Sequence, residues 1–184
     1  MIFGKRIGQQ ARPLNYLADG SPFGSVQFNG NLAWMHDGTL TGASNDGAHT
    51  CGFNPYGAGA YYGLAFGYDW GLGRGAVLAS AIAHGTSNVG FCGFQGDVSG
   101  LYLTLYGSNI NPATAGWTAG QVLGVSSQWS ENWTGDPGPQ TVSANVFAPF
   151  RYTWFILGSD NTAYLSHPDM YLTEGVFVGT LLGC

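Results

Sequence analysis

Charge is what this sequence has least of. Across 184 residues there are five Lys and Arg against ten Asp and Glu, for a net charge of -5 with His neutral. Lys5 is the only lysine, and Glu131 and Glu174 are the only glutamates. Glu, Lys and Arg clothe the surfaces of amphipathic helices, so their scarcity beside 31 Gly and 8 Pro argues against long helices. Five cations are too few to neutralise a run of phosphates, which excludes a general nucleic-acid binder. No apolar run approaches a membrane span, and none of signal-peptide length follows Lys5-Arg6. The expectation is therefore a chain made in a reducing cytoplasm, without membrane insertion. Cys51, Cys92 and Cys184 form an odd set with no Cys-x-x-Cys spacing, so buried thiols are expected ahead of a Cys51 to Cys92 bridge. Nucleophile-elbow and HExxH patterns are also missing. With so few glutamates, a paired-carboxylate hydrolase would have to draw on Asp97, Asp136, Asp160 or Asp169, so an enzyme is not expected.

What the chain does have is alternation. Leu101, Leu103 and Leu105 interleave with Tyr102, Thr104 and Tyr106, a period of two that predicts a central antiparallel strand with its leucines in a core and its tyrosines on a solvated or lightly covered face. Further strands are predicted over residues 25–28, 61–66, 76–83, 121–125, 141–147, 150–157 and 170–178, separated by Gly, Pro, Asn and Asp turns. The length suits one domain with one sizeable core. An all-β antiparallel jelly-roll β-sandwich over residues 25–184 is the expected fold. Residues 1–24 lack periodicity and carry Lys5, Arg6 and Arg12, and are expected to form an extended N-terminal arm, either solvated or docked on a partner. The polar, glycine-rich stretch 41–59 is longer than a simple connection requires.

Several pieces stand together in a recognisable order: His36-Asp37-Gly38-Thr39, Ala60-Tyr61-Tyr62-Gly63 with Asp69-Trp70-Gly71, Ile82-Ala83-His84-Gly85-Thr86-Ser87-Asn88-Val89-Gly90-Phe91, Leu103-Thr104-Leu105-Tyr106-Gly107-Ser108-Asn109, Phe150-Arg151-Tyr152 and Met170-Tyr171-Leu172-Thr173-Glu174. Over residues 30–180 this set resembles the galactose-binding-like (discoidin, or coagulation factor type C) jelly roll, in the version found in phage and gene-transfer-agent virion proteins. The resemblance implies a non-enzymatic structural and attachment protein, in a head or tail fibre, a spike or a decoration. Its loops would bind host surface polysaccharide and its arm would dock on other virion proteins. It would sit on the surface of a phage-like particle as a homo-oligomer, a trimer being expected. A decoration or adaptor protein with no sugar site is the main alternative, and a glycan hydrolase the third reading. The linker modules and fibre repeats usual in such proteins are absent.

Sugar recognition needs flat apolar faces against C–H groups and planar polar groups for hydroxyls. The candidates on predicted loops are Trp70, Arg74, His84, Asn88, Trp117, Trp129 and Trp133, the last two embedded in polar and turn residues. Glu174 shares a strand face with Leu172, Val176 and Val178, so its carboxylate needs a partner, which backbone amides or exposure to water could supply. In the jelly rolls this chain resembles, a last-strand glutamate and an Asp-Gly loop help hold a structural Ca²⁺, and the matching positions here are Glu174 and Asp37.

Overall fold

The structure, a computed structural model, describes residues 10–26, 32–40, 64–85, 98–131, 138–159 and 172–183. In chain order the elements are β1 (Arg12–Pro13), a one-turn helix α1 (Tyr16–Asp19), β2 (Ser21–Val26), a 3-10 turn (Leu32–His36), β3 (Leu64–Asp69), β4 (Gly75–His84), β5 (Val98–Ser108), a one-turn helix α2 (Pro112–Ala115), β6 (Gln121–Val125), β7 (Trp129–Glu131), β8 (Gln140–Ser143), β9 (Tyr152–Ser159) and β10 (Glu174–Leu182). Every strand pairing is antiparallel. One sheet has the order β1-β10-β4-β8, and the other β2-β3-β9-β5-β6 with β7 also on β5. The two face each other as a jelly-roll sandwich.

The core between them is made by large side chains from one sheet and small ones from the other. Phe66, Tyr68 and Trp70 from β3 and its end, Leu101, Leu103 and Leu105 from β5, and Phe155 and Leu157 from β9 are all fully buried. They meet Ala76, Leu78, Ala81 and Ala83 of β4, with Phe177 and Leu181 of β10. Alanines let the facing aromatics approach closely, which keeps the interior at native packing density. Of the three bulky aliphatics of β4, Leu78 points into the core while Val77 and Ile82 alternate outward.

Residues 12–24 belong to the sandwich, which corrects the expected extended arm. β1 lies on the edge of β10, with Arg12 opposite Leu181 and Pro13 opposite Thr180. Proline is accommodated there because an edge strand needs no donor on its outer side. β2 forms the edge of the other sheet against β3, so the boundary expected after residue 24 falls inside a strand. Between them α1 crosses from sheet to sheet, tied by the Arg12–Asp19 ion pair and by Asp19 to Arg74 at 3.2 Å. Residues 1–9 lie outside the described residues.

The second departure concerns the outer face of the larger sheet. Leu101, Leu103 and Leu105 point into the core as the alternation requires, but Tyr106 on the opposite face is only 8% exposed. The chain from α2 to β6 folds back over this face and covers it.

Candidate functional site

The residues singled out in the sequence fall in different places. Trp70 is fully buried, with its indole N–H donating to Thr153 Oγ1 at 3.0 Å and its ring tilted over Tyr68. It is core, and it cannot present a face to a ligand. Trp129 lies in β7 opposite Leu101 and packs its half-buried ring against the same core. His84 ends β4 opposite Glu174, and its carbonyl accepts from the Thr173 N–H and hydroxyl. Arg74 directs its guanidinium at Asp19. Asn88 and Trp133 lie outside the described residues. Trp129 and His84 sit near one end of the sandwich, Arg74 and Trp117 toward the other, so the candidates do not form one constellation.

Around Trp117 the structure assembles a site of its own. The register aligns Phe23, Gly67, Trp154 and Tyr106 across β2, β3, β9 and β5, all on the outer face. Gly67 leaves a gap in that row, since a Cβ there would collide with the Thr153 carbonyl and the Trp154 side chain. Trp154 stacks on Tyr106 at 5.5 Å and 11°, and its indole N–H donates to the Trp117 carbonyl at 3.0 Å. That bond sets the turn after α2 and brings the Trp117 ring onto Phe23, at 5.9 Å and 20° between planes. Gly120 lies directly over the Trp154 ring, where any side chain would clash. The result is a second small core with Phe23 and Trp117 half-buried along its margin.

One register row further toward the strand ends, Ser21, Asp69, Tyr152 and Ser108 align. Tyr152 meets Phe23 edge to face at 5.8 Å, and the Arg151 guanidinium lies over the Tyr152 ring at 4.8 Å. Arg151 grips Asp69 through two bonds of 2.8 Å, from Nε to Oδ1 and from Nη2 to Oδ2. Its backbone N–H donates to Asn109 Oδ1 at 2.9 Å. Burial alone would raise the Asp69 carboxyl, but the Arg151 bonds and the Gly71 N–H hold it below its ordinary value. The strip thus joins half-buried ring faces to planar, preoriented polar groups. Asp69 is the only carboxylate among its residues and is committed to Arg151, so the strip offers no acid and base pair.

A different cluster closes the flank between β10 and β3. Glu174 is fully buried, and its Oε2 accepts the backbone N–H groups of Asp37 and Gly38 at 3.2 Å each. The required partners are therefore a pair of amides, joined by the Tyr16 hydroxyl. Oε1 is buried with no hydrogen-bond partner. Burial raises the Glu174 carboxyl to about 7, against the pull of the two amides, and burial with Glu174 nearby pushes Tyr16 to about 12. Tyr68 donates to the Gly175 carbonyl at 3.0 Å and stands 3.1 Å from His36 Nδ1. An orphaned carboxylate oxygen with the Asp37 carboxylate nearby is donor chemistry that a hard cation accepts, but among the described residues no group of three or more His, Cys, Asp or Glu side chains stands ready to hold a metal, so a Ca²⁺ ion here would take its other oxygens from backbone and water. Oε1 is the Glu174 oxygen free to hold it. Such an ion would supply charge neutralisation and would tie residues 37–40 to β10.

Phe23, Tyr152 and Arg151 were not among the sugar-binding candidates read from the sequence, although Phe150-Arg151-Tyr152 belongs to the ordered motif set. A readable signal existed in β9, where Tyr152, Trp154 and Ile156 alternate with Thr153, Phe155 and Leu157, the pattern of a strand covered on both faces. Trp70 was also readable as core, because Phe66, Tyr68 and Trp70 keep a period of two.

No protein-family model and no curated protein sequence matches this chain. Among solved structures it is similar to CBM62 from Clostridium thermocellum Xyl5A, with a TM-score of 0.49 and 15% identity over 94% of this chain and 99% of that one. It is also similar to chitosan-binding module 1 of a chitosanase/glucanase from Paenibacillus sp. IK-5, with a TM-score of 0.45 and 12% identity over 90% of this chain and 98% of that one. A third likeness is to CpGH89CBM32-4 from Clostridium perfringens in complex with GlcNAc-α-1,4-galactose, at 0.37 and 11% over 96% and 99%. None of the three is named as a virion protein.

Proposed function

We propose that this chain is a non-catalytic carbohydrate-binding module whose ligand lies on the strip formed by Trp117, Phe23, Tyr152, Arg151 and Asp69. The observation that carries the reading is the Trp117–Phe23 stack beside the Arg151–Asp69 pair. Ring faces take the C–H side of a sugar, and the fixed guanidinium and carboxylate meet its hydroxyls without further ordering cost. The reading stands on these residues and not on the names of similar structures. Binding of the isolated chain to a glycan array tests it. Trp117→Ala is expected to weaken the best glycan at least tenfold while Trp129→Ala leaves it within about twofold, a difference of about 1.4 kcal/mol or more. Equal losses from both variants, or no glycan bound by the wild type, would remove the proposal.

The finer setting we propose is attachment to host surface polysaccharide from the surface of a phage-like particle. Its support is the ordered motif set of residues 30–180 and its resemblance to virion jelly rolls. Immunogold labelling of particles from a producing culture tests it, since the setting requires label on the particle exterior.

A further inference from the structure

The charged side chains are sorted by end. Arg12 stands opposite Leu181, Arg74 precedes β4, whose first residue Gly75 is opposite Leu182, and Arg151 precedes β9, whose first residue Tyr152 is opposite Asp69. A bridge between Ala76 and Phe150 joins the two sheets at this same end. At the far end Glu174 is opposite His84 and bonded to the Asp37 N–H, and Glu131 is opposite Val98. Among the described residues the first end therefore sets three Arg against Asp19 and Asp69, a formal charge of three minus two, whereas the far end has three acids and neither Lys nor Arg.

The polar part of the Trp117 strip lies at the positive end, and what it still offers a ligand is mostly donors. Four donors already meet the Asp69 carboxylate: Arg151 Nε and Nη2, the Gly71 N–H at 2.9 Å and the Tyr152 hydroxyl. A carboxylate has about four lone-pair sites, so a sugar hydroxyl that reaches Asp69 shares an occupied one. Arg151 directs two N–H groups at Asp69, and the guanidinium keeps about three more, on Nη1 and Nη2. The outer two form a planar fork, held in place by Asp69 and by the Tyr152 ring 4.8 Å from the guanidinium. Beside it, Asn109 is exposed and accepts the Arg151 backbone N–H on Oδ1 at 2.9 Å. That bond fixes the orientation of the amide and leaves the Nδ2 hydrogens for a ligand.

We infer that the sugar bound on this strip carries a carboxylate, as a uronic acid does, seated in the Arg151 fork with the Asn109 amide beside it. The inference rests on the carbohydrate reading of the strip. A carboxylate only accepts, so it fills these N–H groups without bringing a hydrogen of its own, whereas each neutral hydroxyl brings one to a site short of acceptors. The positive balance at this end admits an anion although the chain as a whole carries a net charge of -5.

The test is glycan-array binding of the full chain before and after carbodiimide and borohydride reduction, which turns each sugar carboxylate into a primary alcohol and keeps the ring. Acidic glycans are expected to bind best, and reduction to weaken the best of them about tenfold or more. Asn109→Asp keeps an acceptor for the Arg151 N–H but puts a carboxylate where the Nδ2 donors stood. It is expected to weaken the acidic glycan about tenfold or more, to leave the reduced glycan within about twofold, and to keep the circular dichroism spectrum unchanged. If Asn109→Asp fails to fold, Arg151→Lys replaces it, keeping the charge and losing the fork. Best binding to neutral glycans, binding indifferent to reduction, or wild-type affinity of the folded variant for the acidic glycan overturns the carboxylate. In those cases the strip reading survives if Trp117→Ala still weakens binding. No glycan bound, or a Trp117→Ala without effect, removes the strip reading and this inference with it.

Discussion

Trp70 and Trp117 both stand in glycine-containing turns, yet one ring is sealed in the core and the other lies along a margin. What separates them is the strand that leads in. β3 carries its period of two through Trp70, whereas Trp117 follows a one-turn helix and is placed by the Trp154 indole, 37 residues away. Local alternation read the leucines of β5; carried on through Phe66 and Tyr68 it would have put Trp70 in the core as well, where the sequence reading set it on a loop, and it could not reveal which ring a distant hydrogen bond would set on the surface. Trp70→Ala should cost about 3–5 kcal/mol of unfolding free energy, from the lost ring and the unpaired Thr153 hydroxyl. Urea titration measures it, and glycan affinity of the folded fraction should be unchanged. Trp117→Ala should do the reverse, with most of its effect on binding and little on the urea midpoint.

Short elements do the positioning in this fold, and each depends on a contact that is remote in sequence. The turn after α2 rests on Trp154 through Gly120, so Gly120→Ala must lift it and carry Trp117 off Phe23; a red-shifted tryptophan emission and at least tenfold weaker glycan binding are expected together. α1 is held by Asp19. The Arg12 guanidinium keeps the Asp19 carboxyl below its ordinary value despite partial burial, with the Asn15 N–H and Arg74 assisting. A lowered folded value means the stabilisation is complete above the unfolded value of about 3.9 and is lost as pH falls through the folded one. Urea stability should therefore decline from about pH 5 downward, and the decline should be shallower in Asp19→Asn. The segment 37–40 is held by Glu174, and the proposed Ca²⁺ would tighten it. Adding Ca²⁺ should raise the melting temperature by a few degrees, on the order of 1 kcal/mol, and Glu174→Gln should abolish the rise. Identical melting in Ca²⁺ and in chelator would leave Glu174 with the Asp37 and Gly38 amides and the Tyr16 hydroxyl as its partners.

For the molecule as a whole, composition and alternation were sufficient to read the sandwich, because an antiparallel sheet writes its buried face into every second residue. β6 lies at 121–125, where the pattern put it, while β9 and β10 begin a few residues later than expected. Residues 12–24 escaped because edge strands need not alternate, and the site escaped because its parts come from β2, β3, β9 and the turn after α2.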